Sequence, residues 1–204
     1  MTSPAAPWAG RLLLAVAVVF VLYVTLNGLR TEGPGSTGLQ GGGDMPPFAA
    51  PLATSSLRGD VNIATEETAG GPAGARPACE VRGPEVLNGC ALWEDRPAAV
   101  AFIATRGAEC TAALDQLERA RRAHPEIAFA AVAVRGDRDA IRRLARERRW
   151  GFPVAYDRDG VLANLYGVAV CPHLVLAREG GRVAVTLVGE VADAELGRRL
   201  RALG

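Results

Sequence analysis

The residues with the most distinctive chemistry in this chain are four cysteines, Cys79, Cys90, Cys110 and Cys171. Their spacing matches no zinc site, since the close pair is eleven residues apart with no histidine beside it. Cys110 falls near the start of an expected helix, where free N–H groups and the helix dipole favour a thiolate. Glu109 and the surrounding apolar stripe oppose that effect, and an inert core cysteine is the alternative. Cys79 and Cys90 flank a stretch of turn formers and alternating apolar residues, 80–89. A structural disulfide across a hairpin or loop is expected there, and the alternative in which one of the two resolves Cys110 stays open.

Other chemistry is poorly provided for. No Ser-His-Asp order and no HExxH is present, and Gly136, Gly160, Gly167 and Gly180 match turns rather than a phosphate cradle. No metal set and no cofactor motif is expected. Trp93 and Trp150 read as covers for apolar core edges. The 23 basic residues, all Arg, face 22 acidic ones, so a net charge of +1 offers no long-range field for nucleic acid. The Arg-rich stretch 138–149 includes Asp139 and Glu147 at helical spacing and reads as a solvated helix face.

The 204 residues suffice for one ordinary domain with appendages, with a core built mainly from Ala, Val and Leu because aromatics make up only 5%. The expected domain spans 98–204. Ala98–Ala104 suits a central strand buried on both faces. A helix over 108–123 carries Cys110, Ala113, Leu114, Leu117 and Ala120 on one stripe and stops at Pro125. A second strand covers 127–134, and Asp137 caps a second helix through Ile141 and Leu144. A third strand over 152–156 leads through a turn to a short helix over 161–166. Strands at 173–177 and 182–188 form an antiparallel hairpin, and a helix over 193–203 closes the chain. This α/β order predicts a mixed sheet, parallel with an antiparallel hairpin at one edge and helices on both faces. The ligand side lies at the strand ends leading into the first helix.

Whether the cysteines pair depends on compartment. Leu12–Leu26 is apolar apart from Thr25, and counting through Leu29 gives eighteen positions, the short end of a membrane-spanning helix. A cleaved secretion signal is the competing reading, but Thr25, Asn27 and Arg30 stand where a small-x-small site belongs. The expectation is a tail over 1–11 and an uncleaved signal-anchor, a transmembrane helix over 12–29. The domain would then be extracytoplasmic on a single-pass cell-membrane protein. A Gly-rich flexible linker follows over 30–47, then a loosely structured lead-in over 48–97 that carries Cys79 and Cys90.

Three marks, in order along the chain, resemble the thioredoxin-like redoxins, which include membrane-anchored thiol-disulfide oxidoreductases and AhpC/TSA peroxiredoxins. Pro46-Pro47-Phe48-Ala49-Ala50-Pro51 is similar to the family's opening Pro-x-Phe-x-x-Pro. The stretch from Phe102 to Cys110 lies where the family has its redox motif. Tyr166-Gly167-Val168-Ala169-Val170-Cys171-Pro172 lies where it has the cis-proline loop. The resemblance covers about 45–203 and implies a thioredoxin-like fold.

The chain departs from the family at the motif itself. Family oxidoreductases carry Cys-x-x-Cys, and here Gly107 holds the first position with Cys110 at the second. The peroxiredoxin pattern also fails, since its proline and threonine positions hold Ile103 and Gly107, and Thr105 is wrongly spaced. A dithiol cycle within one helical turn is therefore excluded. If Pro172 is the cis-proline, the resemblance implies that Cys171 sits against the first helical turn beside Cys110. The two would form a disulfide or a redox couple. Arg106 is a weaker candidate to stabilise a thiolate, and His173 a weaker candidate base. The implied function is thiol-disulfide exchange through Cys110 and Cys171 with a protein thiol or disulfide partner. The alternatives are a redox-inactive interaction module with structural disulfides, and a one-cysteine peroxidase using Cys110.

Overall fold

A seven-residue run of small and apolar side chains, with polar punctuation at both ends, becomes the central strand, and the fold is built outward from it. In the computed structural model, which describes residues 7–30, 38–66, 74–104 and 108–204, β3 (Ala98–Ala104) is buried along six of its seven positions. β4 (Ala128–Val134) and then β5 (Val154–Asp157) pair beside it in parallel. On its other side β6 (His173–Ala177) runs antiparallel and hydrogen-bonds to β7 (Val183–Val188), giving the order β5-β4-β3-β6-β7. The mixed sheet, the C-terminal hairpin and the flanking helices are those the element order predicts.

Alternation along the strands separates two cores. Ala99, Ala101 and Ile103 face one core with Leu114 and Leu117 of α3 (Ala108–Ala123), Ile141 of α4 (Arg138–Arg148), and Leu196 and Leu200 of α6 (Asp193–Arg201). Val100, Phe102 and Val175 face the other, with Leu162 of α5 (Val161–Leu165), and Tyr166. The lead-in fills the rest of that second core. Ala50 and Leu87 come from a small antiparallel pair, β1 (Ala49–Pro51) and β2 (Val86–Asn88), Phe48 from the residue before β1, and Trp93 from α2 (Gly89–Trp93). Phe48 touches Trp93 and Tyr166 edge-on, each at 6.0 Å between ring centroids.

The lead-in is thus more ordered than its interrupted hydrophobicity suggests. The second part of the expected linker differs too. Gly42 N–H donates to the Val183 carbonyl, Val183 N–H to that of Gly43, and Met45 N–H to that of Gly181, each at 2.8 Å. That segment runs along the β7 edge because an edge strand offers unpaired backbone groups to any neighbouring chain.

The chain divides into Met1–Gly33 and Pro34–Gly204. The first unit contains α1 (Pro7–Arg30). Among the described residues no helix is long and apolar enough to cross a membrane, which corrects the transmembrane helix expected over 12–29. The run from Leu12 ends as a fully apolar stretch at Thr25. It covers roughly 20 Å at 1.5 Å per residue, against about 30 Å of hydrocarbon, before Asn27 and Gly28 follow. The signal-anchor, the membrane as a partner and the single-pass placement with an extracytoplasmic domain all depended on that segment. They are withdrawn with it.

Candidate functional site

Two segments meet near the carboxyl end of β3. One is the first turn of α3, which carries Cys110; the other runs from α5 to β6 and ends at Cys171-Pro172. Cys110 and Cys171, 61 residues apart, are joined by a disulfide with a Cα separation of 5.7 Å, inside the limit of about 7 Å for a bridge. The Cys171–Pro172 peptide bond is cis. The Gly189 N–H donates to the Pro172 carbonyl at 2.8 Å, tying this loop to the end of the hairpin.

The two sulfurs sit in different surroundings. Cys110 is 5% exposed and belongs to the core that holds Leu114 and Leu117. Cys171 is half-buried, and the Ala104 N–H donates to its Sγ at 3.4 Å. Cys171 also edges a cavity of about 440 Å³, walled by the ends of β3 and β4, Arg135, Ala163 and Val168–Val170.

His173 is adjacent in sequence but not in function. It pairs with Phe102 across the ladder and its ring meets the Phe102 ring at 6.0 Å, on the sheet face opposite to the core that holds Cys110. It is fully buried and neither ring nitrogen has a hydrogen-bond partner. Burial lowers its pKa, which keeps the ring neutral. It is not brought to the disulfide. Arg106 and Gly107 lie outside the described residues.

Cys79 and Cys90 form the second disulfide, with a Cα separation of 5.3 Å. Among the described residues no cysteine is free, and no cluster of three His, Cys, Asp or Glu could hold a metal. Two features escaped the sequence reading. Asn88 is 6% exposed and its side-chain amide donates to the carbonyls of Ala78, Cys79 and Val81 at 2.9, 3.1 and 2.9 Å. Its own carbonyl caps α2 by accepting from Ala91 N–H. An Asn followed by Gly before a short apolar run is an N-cap signal that could have marked it. Arg138 and Arg142, assigned to a solvated face, instead donate to main-chain carbonyls of the lead-in, at Leu52, Ala53, Ser55 and Leu57.

No protein-family model matches the sequence, and no curated protein matches it. Solved structures do. A secreted Mycobacterium tuberculosis disulfide oxidoreductase homologous to E. coli DsbE is similar at 25% identity over 58% of this chain and 90% of its own, with a TM-score of 0.53. MTB dsbF, in its mixed oxidised and reduced forms, is similar at 25% identity over 59% and 89%, with a TM-score of 0.54. A putative thiol:disulfide interchange protein DsbE from Chlorobium tepidum covers 81% of this chain and 99% of its own at 19% identity, with a TM-score of 0.61. Together with the strand order and the hairpin, these similarities establish a thioredoxin-like fold of the redoxin superfamily. Its two disulfides are consistent with thiol-disulfide redox chemistry.

Proposed function

We propose that the protein performs thiol-disulfide exchange through the Cys110–Cys171 couple, acting on a protein thiol or disulfide. Gly107 stands where the relatives' fold class carries the first cysteine of its Cys-x-x-Cys, so the second sulfur is supplied by the cis-proline loop rather than by the same helix. The observation that carries this reading is the disulfide itself, which joins the first turn of α3 to the loop before β6 and presents one of its sulfurs to a cavity. The similarity to a disulfide oxidoreductase adds support. The peroxidase alternative needs Cys110 free to meet peroxide, and its burial and its bond to Cys171 weigh against that.

A redox titration tests the proposal. The Cys110–Cys171 couple is expected to have a reduction potential more oxidising than about −300 mV, where cellular thiols can turn it over. A value well below that would make the bond inert and would favour a redox-silent binding module.

A further inference from the structure

Resting on the exchange reading, we propose that Cys171 is the sulfur that meets the substrate and that Cys110 is the resolving thiol. Exchange requires an attacking thiolate to approach a disulfide along its S–S axis, so the entering position must be reachable by a second protein. Cys110 is closed to such an approach at 5% exposure among core side chains, whereas Cys171 is half-buried and edges the 440 Å³ cavity. The start of a helix favours a thiolate at Cys110, but the geometry supplies a counterpart at Cys171, where the Ala104 N–H donates to Sγ at 3.4 Å. Accessibility separates the two sulfurs where charge stabilisation does not.

Each half-reaction balances by itself, and a second protein dithiol closes the cycle by reducing the Cys110–Cys171 disulfide through the reverse steps. In the reducing direction the Cys171 thiolate attacks a substrate disulfide, a bond forms between Cys171 Sγ and one substrate sulfur, and the other leaves as a thiolate. Cys110, deprotonated, then attacks Cys171 Sγ. The protein disulfide re-forms and the remaining substrate sulfur leaves as a thiolate. The protein dithiol has lost two electrons and the substrate disulfide has gained them. The oxidising direction is the same sequence in reverse.

The full chain, reduced with dithiothreitol and freed of it, is treated with limiting iodoacetamide and digested for mass spectrometry. Cys171 is expected to be alkylated at least ~10-fold faster than Cys110. Equal rates, or faster labelling of Cys110, overturn the assignment on the wild-type protein. The single variants Cys110→Ala and Cys171→Ala are then incubated with oxidised glutathione. A lasting glutathione adduct on Cys171 in Cys110→Ala, with none in Cys171→Ala, supports the proposal. An adduct only on Cys110 in Cys171→Ala overturns the order of the two thiols and leaves the exchange reading standing. No adduct in either variant, with both folded by circular dichroism, overturns both.

Discussion

The two disulfides of this molecule differ in what else holds their ends together. Cys79, in the short turn Ala78–Glu80, and Cys90, in α2, are bridged across eleven residues. Asn88 binds the same two segments independently through four hydrogen bonds. Cys110, in α3, and Cys171, in the loop before β6, sit on elements that the pairing of β3 with β6 already brings together, and the Ala104 N–H donates to the Cys171 sulfur. A bridge braced by a buried amide changes little when it opens, because its surroundings stay in place. A bridge with one half-buried sulfur at the edge of a cavity changes, on opening, the surface that a partner meets. The first arrangement suits structure and the second suits turnover.

The largest effect is expected from breaking that asymmetry. With oxidised glutathione as substrate, Cys171→Ser should lower the exchange rate roughly 100-fold or more, since the thiolate is the nucleophile. The double change Cys79→Ser, Cys90→Ser should leave the rate within about 2-fold. Equal losses would erase the distinction between the two bridges. Stability should run differently. In the chain-entropy model the eleven-residue bridge contributes about 2.8 kcal/mol, and Asn88→Ala, which removes the α2 cap and the donor to the Val81 carbonyl, costs roughly 1–3 kcal/mol. Because both restrain the same segments, urea unfolding of the combined variant should show a coupling of at least about 0.5 kcal/mol.

A second effect probes the helix that carries Cys110. About two turns after that cysteine, Glu118 is 6% exposed and accepts from Arg121, Arg122 and the Gly151 N–H. Hydrogen bonds from Arg121 lead the causes that hold its carboxyl down at about 2, with the Gly151 N–H and Arg122 adding to them against burial. A carboxyl depressed in the folded state stabilises it fully above its ordinary value and loses that contribution as pH falls from about 4.5 toward 2. Glu118→Gln should therefore cost on the order of 2 kcal/mol at neutral pH and flatten the acid limb of the stability profile. An unchanged acid limb would mean that Glu118 does not anchor α3, leaving that role to its apolar face and to Asp115, which accepts from Arg148 and Trp150.

How much of this was legible beforehand depends on whether a feature has a period. The strand over 98–104 and the helix over 108–123 match their expected bounds, because a doubly buried strand and an amphipathic stripe repeat a pattern over several turns or pleats. The hairpin was visible through the Gly180-Gly181 connection. Asn88 and Arg138 were not visible as hubs. A side chain that satisfies a distant carbonyl contributes one residue to the sequence and no repetition, and an arginine on a helix face has the same identity whether it meets water or a backbone. The lead-in was underestimated for a related reason. Phe48 and Trp93 belong to apolar runs too short to show a period, and only the second face of the sheet gives them a common core. At the site, Cys110 and Cys171 were identifiable as cysteines, but the difference in their exposure is a property of the packing around them.

The smallest effects sharpen the comparison by asking what keeps the lead-in, and with it the Cys79–Cys90 bridge, on the domain. Two arginines reach it from opposite circumstances. The Arg138 guanidinium is half-buried and donates to the carbonyls of Leu52, Ala53, Ser55 and Leu57. Removing it breaks these four bonds to the lead-in, while the Ser55 N–H still reaches the Leu52 carbonyl and Arg142 those of Ala53 and Ser55, so Arg138→Ala should cost roughly 1–2 kcal/mol, and Arg138→Lys should recover only part because an ammonium cannot reproduce the planar fork. Arg158 meets Asp60 in an ion pair whose side chains are 58% and 53% exposed. Water and salt already solvate both of its charges, and ordering two mobile side chains offsets much of their attraction. Arg158→Ala should leave the thermal midpoint unchanged within error at moderate salt, whereas Arg138→Ala should lower it at every salt concentration. If the two variants behaved alike, the buried guanidinium would add no more than the exposed ion pair, and the lead-in would be held by the apolar contacts of Phe48, Leu87 and Trp93.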